Sequence, residues 1–200
     1  MGLSRPSKMP GLSYGLPARE CMAGSKLRDV ENSTCANCYA LKGMYSFPSV
    51  QAAQYRRLES IQDIRWVESM VVSIGDSAYF RWHDSGDIQS RNHLHKIIDV
   101  CKRTPNTRHW MPTREVKLIR QYIRANRLPD NLTIRISATM IDKPAAKVSS
   151  DFNRFLCTST VHNNAPPIGY ACPAPLQGNM CGDCRACWDS TIDNISYGKH

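Results

Sequence analysis

The sequence predicts an α/β fold, a parallel sheet or partial barrel of βα units (TIM-like), with irregular cysteine-rich segments at both ends. Short apolar runs alternate with helical patterns between residues 49 and 143. Residues 1–48 are rich in Gly, Pro and Ser, and periodicity is lost again from residue 144 to residue 200. Cysteines concentrate in these two end segments. We therefore expect a single domain of 200 residues with an α/β middle.

The middle segment predicts four helices and three strands in alternation. Helical patterns cover residues 49–61, after Pro48, and then residues 64–74, 88–101 and 114–126. Strand patterns cover residues 79–83, 108–111 and 132–137. Because strands and helices alternate at this spacing, we expect βαβ connections and parallel strands.

Polar side chains follow the predicted strands, at residues 83–87, 112–114 and 137–139. In parallel α/β folds the chemistry lies at the carboxyl ends of the strands. His83 and Asp87 are candidate acid–base groups, and Arg114 is a candidate anion receptor. Ser85, Gly86 and Asp87 are candidates for binding a cofactor, since a glycine lets a ligand approach the backbone. The competing interpretation is a turn and an N-cap for the next helix.

Composition narrows the class of protein. With 42% hydrophobic and 22% charged residues the chain is typical of globular proteins, and no apolar run approaches the roughly 18 residues of a membrane helix. The first residues lack the apolar run of a secretory signal, so we expect a cytoplasmic protein that does not bind membranes. The net charge of +9 is compatible with binding of nucleic acid or of an anionic cofactor or substrate, but the basic residues are dispersed, which favours plain solubility.

Nine cysteines in a chain without an export signal indicate metal ligands rather than disulfides. The C-terminal four follow the spacing C-x8-C-x2-C-x2-C. This spacing is typical of iron–sulfur loops, and four thiolates suit one tetrahedral Zn²⁺ equally well. These four cysteines are Cys172, Cys181, Cys184 and Cys187.

The N-terminal set, Cys21, Cys35 and Cys38, is one thiolate short of a closed site. A fourth ligand from Cys157, Cys172 or a histidine would close it, and otherwise one iron of a cubane stays open for a ligand. A third interpretation makes Cys21 structural and joins the other two to the C-terminal cysteines.

Two cysteines and two histidines are interpreted as outside the site. Cys101 lies on an apolar helix face, and Cys157 follows an apolar stretch with Phe152 and Phe155, so both thiols are expected in the core. His93 and His95 lie off the apolar stripe of their helix and are expected in solvent.

Residues 16–18, 21, 35–40, 80–87 and 181–188 together resemble the phage "gene product 88" family, over about residues 10–188. That family is distantly similar to radical S-adenosylmethionine (SAM) enzymes, which use an incomplete α/β barrel and a three-cysteine [4Fe–4S] cluster. The resemblance implies that Cys21, Cys35 and Cys38 hold such a cluster and that residues 85–87 receive the amino group of SAM. Radical SAM enzymes space these cysteines C-x3-C-x2-C, whereas thirteen residues separate Cys21 from Cys35 here. A phage protein would act in the host cytoplasm.

Three functions follow as hypotheses. The first is an enzyme with one or two [4Fe–4S] clusters acting on a small molecule, either radical-SAM-like or using an open iron as a Lewis acid beside His83 and Asp87. The second is a non-catalytic cluster protein that carries electrons or stabilises structure. The third is a zinc-stapled nucleic-acid-binding protein. We favour the first.

Overall fold

One parallel sheet forms the centre of the molecule. The structure is a computed structural model that describes residues 2–151 and 156–199. Within them seven strands follow the order β1-β2-β3-β4-β5-β7-β6 and every pairing is parallel. The sheet is open, with β1 and β6 at its edges, so the predicted parallel α/β sheet is confirmed without a closed barrel. The strands are β1 (Leu12–Tyr14), β2 (Tyr79–Trp82), β3 (Arg108–Thr113), β4 (Leu132–Ser137), β5 (Cys157–His162), β6 (Tyr170–Ala171) and β7 (Asn194–Gly198).

The four predicted helices of the middle segment are present. They follow a short helix in the N-terminal segment, and the full set is α1 (Met22–Leu27), α2 (Pro48–Ser60), α3 (Trp66–Ile74), α4 (Arg91–Arg103) and α5 (Val116–Ile123). Helix α4 begins later than expected, because Ser90 is its N-cap and accepts from the His93 amide at 3.0 Å. Asp87 therefore does not cap this helix. None of the described helices is long and apolar enough to cross a membrane.

The sheet extends beyond the middle segment into both cysteine-rich ends. Strand β1 lies in the N-terminal segment, and β5, β6 and β7 lie in the C-terminal one. The shortest have three and two residues, too few for a pattern. Strand β5 reads Cys-Thr-Ser-Thr-Val-His, with polar residues on both faces. Sequence patterns miss such strands because their residues do not alternate between apolar and polar.

The two faces of the sheet differ in chemistry. One face, the helix face, carries Phe80, Trp82 and Met111 in a core shared with the apolar sides of α3, α4 and α5. The opposite face, here called the polar face, carries residues that are neighbours in register across β1 to β4, since side chains alternate along a strand. Its members are Ser13, Arg81, Trp110, Thr133 and Arg135.

Arg135 attaches the C-terminal segment to the polar face. Its guanidinium is fully buried and donates five hydrogen bonds, all to backbone carbonyl oxygens. Four of those carbonyls belong to residues 186–192, which contain Cys187. Trp188 adds a bond from its indole Nε1 to the Phe80 carbonyl at 2.9 Å. The cysteine-rich end is thus held by the sheet itself.

The predicted burial of two cysteines is confirmed, and the predicted exposure of one of two histidines is wrong. Cys101 and Cys157 are buried, as expected, while Phe152 and Phe155 lie outside the described residues. His95 is exposed, but His93 is fully buried, with its ring 5.5 Å from that of Trp66. The helix face is wide enough to include this position because α3 packs over α4.

Candidate metal centres

The three predicted strand ends do meet. The Asp87 carboxylate accepts from the Thr113 hydroxyl at 2.6 Å and from the Arg114 amide at 2.8 Å, which joins the end of β2 to that of β3. The end of β4 is reached by the N-terminal segment, since the Thr34 hydroxyl donates to the Ala138 carbonyl at 2.9 Å. The residue after Thr34 is Cys35, so this cysteine is carried to the carboxyl ends of the strands.

Three cysteines form what we call the N-terminal thiol group: Cys21, Cys35 and Cys38. Cys21 immediately precedes α1, and Cys35 and Cys38 form one turn, closed by a 3.3 Å bond from the Cys38 amide to the Cys35 carbonyl. A Cβ at Gly24 would lie 2.9 Å from the Cys21 Cβ and 3.7 Å from the sulfurs of both Cys21 and Cys35. The missing side chain of Gly24 thus lets α1 close over two of the thiols.

Burial and charge act together on these thiols. The pKa of Cys21 is raised to about 12, mainly by burial and also by the charges of Asp87, Cys38 and Cys35, while Arg114 acts to lower it. Burial likewise raises the pKa of Cys35, again against Arg114. The Arg114 guanidinium is held nearby by bonds of 2.8 and 3.1 Å to the Thr34 hydroxyl. Binding of a metal must therefore displace the thiol protons, and Arg114 is the positive charge that favours the thiolates.

The segment predicted to bind a cofactor is engaged by the protein itself. The Ser85 hydroxyl donates to the Leu16 carbonyl at 2.7 Å and accepts from Gln54 at 2.8 Å. Gly86 has φ +76°, and a Cβ there would lie 2.5 Å from that of Leu16, so this glycine permits close packing of two loops. Both Asp87 carboxylate oxygens accept hydrogen bonds, and burial raises its pKa to about 6.

His83 lies on the helix face. It has φ +62° and its ring lies 5.5 Å from that of His93 and 6.2 Å from that of Trp82. Burial holds the pKa of His83 well below its usual value, so the ring is neutral. Neither ring nitrogen has a hydrogen-bond partner among the described residues.

The C-terminal thiol group comprises Cys172, Cys181, Cys184 and Cys187. Backbone hydrogen bonds position its members. The Cys181 amide donates to the Lys8 carbonyl at 2.9 Å, and the Cys184 amide donates to the Cys181 carbonyl at 3.0 Å. Burial raises the pKa of Cys181, and the charges of Cys172 and Cys184 raise it further. The thiols therefore lie close enough to act on one another.

Two tyrosines contact this group. The Tyr197 hydroxyl shares a 3.2 Å hydrogen bond with the Cys187 sulfur, and the Tyr170 hydroxyl lies 3.6 Å from the Cys184 sulfur. The pKa of Cys187 is raised to about 11, because burial outweighs the lowering effect of the Tyr197 hydrogen bond. Each phenol can donate to a thiolate, which is a common way to tune a metal bound there.

Neither thiol group has the geometry of a single-ion site. Across residues 2–151 and 156–199, no three His, Cys, Asp or Glu side chains come together closely enough to hold a metal ion. A zinc ion needs its sulfurs at about 2.3 Å, all on one centre. A cubane cluster is larger than one ion and its thiolates stand farther apart. In donor chemistry both groups fit soft thiolate-binding metals or iron–sulfur clusters.

Sequence patterns missed three residues that shape the N-terminal thiol group. Glu115 is buried and accepts from the Ala23 amide at 2.7 Å, at the start of α1. Thr34 positions Arg114, and Gly24 makes room for the sulfurs. Glu115 and Thr34 contact residues far away in the chain, Ala23 and Arg114, and a single sequence carries little signal for such contacts.

Comparison with known proteins shows the family. The family model described as "Gene product 88" matches residues 2–190, and the chain therefore belongs to that family. The resemblance found in the sequence is confirmed to this extent. Neither a search of curated proteins nor a search of solved structures found a match.

Proposed function

We propose that this chain is an iron–sulfur enzyme in which Cys21, Cys35 and Cys38 bind a [4Fe–4S] cluster with one iron left open. The carrying observation is the gathering of these three thiols at the carboxyl ends of the strands, beside Asp87 and Arg114. The remaining clustered thiols form a group of their own around Tyr170 and Tyr197. A three-thiolate set suits a cluster with a position for an outside ligand.

The chain's own residues would support such chemistry in distinct ways. When bound, the cluster would supply either an electron or a Lewis acid to a ligand on its open iron. Arg114 would hold positive charge next to the anionic cluster and ligand. Asp87 would position Arg114 by accepting the 2.8 Å hydrogen bond from the Arg114 backbone amide. SAM is one candidate ligand; a small substrate for a hydrolase or lyase reaction is the other, with His83 and Asp87 as proposed proton carriers.

The C-terminal thiol group is proposed to bind a second cluster. Four thiolates close the coordination of a cubane, so this centre would carry electrons or stabilise the fold rather than bind substrate. We place the protein in the cytoplasm, where thiols stay reduced.

The deciding experiment is the iron and acid-labile sulfide content of protein purified without oxygen. About four irons per chain support one cluster and about eight support two. Cys38→Ala and Cys184→Ala should each lower the content, whereas Cys101→Ala, which removes a core thiol outside both groups, should not. Zinc without sulfide would overturn the proposal and would favour the nucleic-acid hypothesis.

Use of SAM is tested separately. An EPR spectrum of the reduced protein that changes on addition of SAM, and that loses this response in Cys38→Ala, supports a radical-SAM-like enzyme. A spectrum unchanged by SAM in protein with full iron content leaves the Lewis-acid reaction as the proposed one.

A further inference from the structure

Three residues adjacent on the polar face share an unusual property. Ser13, Arg81 and Trp110 are neighbours in register on β1, β2 and β3. The Ser13 Oγ, the Arg81 Nε and the Trp110 Nε1 are all buried, and none has a hydrogen-bond partner among the described residues. Buried donors without partners are rare in folded proteins, because each loses its bond to water. Three such unpartnered groups, side by side in the sheet, indicate that a molecule outside the chain forms hydrogen bonds with them.

The other indoles show that an unpartnered N–H is not a general feature of the tryptophans. Trp66 donates to the Tyr14 hydroxyl at 3.1 Å, Trp82 to the His109 ring at 3.2 Å and Trp188 to a carbonyl at 2.9 Å. Trp110 alone among the four tryptophans has an unpartnered N–H, and it is only 6% exposed. The unpartnered N–H of Trp110 is therefore a feature of the polar face and not of the way tryptophans pack in this protein.

Arg81 has no ion pair among the described residues, although the charge of Asp84 and the hydroxyls of nearby tyrosines favour its charged form and raise its pKa. Its guanidinium lies 4.6 Å over the Trp110 ring and contacts the Tyr39 hydroxyl at 3.3 Å and the Met9 sulfur at 4.0 Å. The ion pairs of the described residues are Arg65 with Asp63 and Arg103 with Glu68, all at the surface. Arg135, on the same face, contrasts with Arg81, since its donors are satisfied by carbonyls and its role is structural.

We propose that Ser13, Arg81 and Trp110 form a binding site for an oxyanion, the carboxylate or phosphate group of a small ligand. The three groups offer donors, and a carboxylate or phosphate offers acceptors together with a negative charge that can pair directly with the half-buried guanidinium. The stacking of Arg81 on Trp110 holds the donor plane in place before the ligand arrives. The site stands whether or not the thiol groups hold iron, so it goes beyond the function proposed above.

Equilibrium dialysis with labelled inorganic phosphate and, separately, labelled succinate tests the site on the purified full chain. We expect saturable binding of one of the two at one per chain, which also distinguishes the phosphate from the carboxylate. Arg81→Lys keeps the charge and removes Nε, and should weaken binding by about tenfold or more. Trp110→Phe keeps the ring under Arg81 and removes only the N–H, and should also weaken binding. Arg91→Lys, at an exposed arginine, is the matched control and should bind like the wild type.

Two results would overturn the proposal. One is that neither anion binds; water then completes the three donors. The other is binding that Arg81→Lys and Trp110→Phe leave unchanged while both variants unfold at the wild-type temperature; the anion then lies elsewhere. The result does not depend on the iron content of a variant, because dialysis measures bound anion and not the cluster.

Discussion

Arg135 gives the sharpest test of how the C-terminal thiol group is built. Its guanidinium is fully buried and donates to five carbonyls, at residues 158, 186, 187, 189 and 192. Arg135→Met fills a similar volume and removes every donor. The methionine avoids leaving a buried charge, but the carbonyls lose their partners, and each unpaired buried group costs about 1–3 kcal/mol unless water reaches it.

Because part of this segment can take up water, we expect the variant to lose about 3–5 kcal/mol of unfolding free energy. That is a large share of the stability of a domain, typically about 5–15 kcal/mol. Urea denaturation measures the loss, and limited proteolysis should cut first within residues 172–192. Arg108→Met removes an exposed arginine and should change stability little. A loss below about 1 kcal/mol with unchanged proteolysis would show that Arg135 does not anchor the segment.

Three further predictions follow. Burial lowers the pKa values of His93 and His109 to about 3 and holds the pKa of His83 well below its usual value. These rings therefore contribute stability above their unfolded pKa that is lost as pH falls. Asp87, with its pKa raised to about 6, acts in the opposite direction and offsets part of this loss. The unfolding free energy should therefore fall by about 2–3 kcal/mol between about pH 6 and pH 5. His93→Gln should reduce this pH dependence in denaturation curves. Gly24→Ala brings a Cβ within 2.9 Å of Cys21 and should lower the iron content, whereas Gly2→Ala, with open space around it, should not; equal iron in both would contradict the packing argument. Tyr197→Phe removes the hydrogen bond to Cys187 and should lower the reduction potential of a cluster there by about 40 mV, the equivalent of roughly 1 kcal/mol for one electron; a potentiometric titration that finds no shift would show that the phenol does not donate to the sulfur.

Periodicity predicted the elements that bury an apolar face and missed those that do not. Helix α4 and strand β4 carry strong patterns because a core covers one side of each. Strands β5 and β7 are neighbours in the sheet, and their sequences mix polar and apolar residues, so no alternation marks them. Two-residue and three-residue strands are fixed by pairing alone, and no local pattern marks them.

The proximity of the candidate thiols could be predicted from the sequence, whereas the residues that position them could not. Cysteine spacing suggested two sets of neighbouring thiols while leaving a joint site open, and the parallel topology brought the ends of β2, β3 and β4 together as expected. The interpretation of residues 85–87 as a ligand site could not anticipate that Leu16 and Gln54 already engage Ser85. Such contacts join residues far apart in the chain, and single-sequence patterns carry no signal for them.

The position of Arg81 connects the parts of the molecule. Its charge lowers the pKa values of both Cys181 and Cys187, while its Nη2 donates to Tyr39, the residue after Cys38. The guanidinium thus lies between the two thiol groups, on the face of the sheet opposite the helices. Thiolates that bind a metal become negative, so the same arginine would favour loading of the C-terminal group. Arg81→Lys should therefore retain iron better than a neutral Arg81→Met variant, because the charge acts on the thiols at a distance, whereas binding of an oxyanion needs the guanidinium donors themselves. Iron content and anion binding measured on the same two variants separate the two roles of this one side chain.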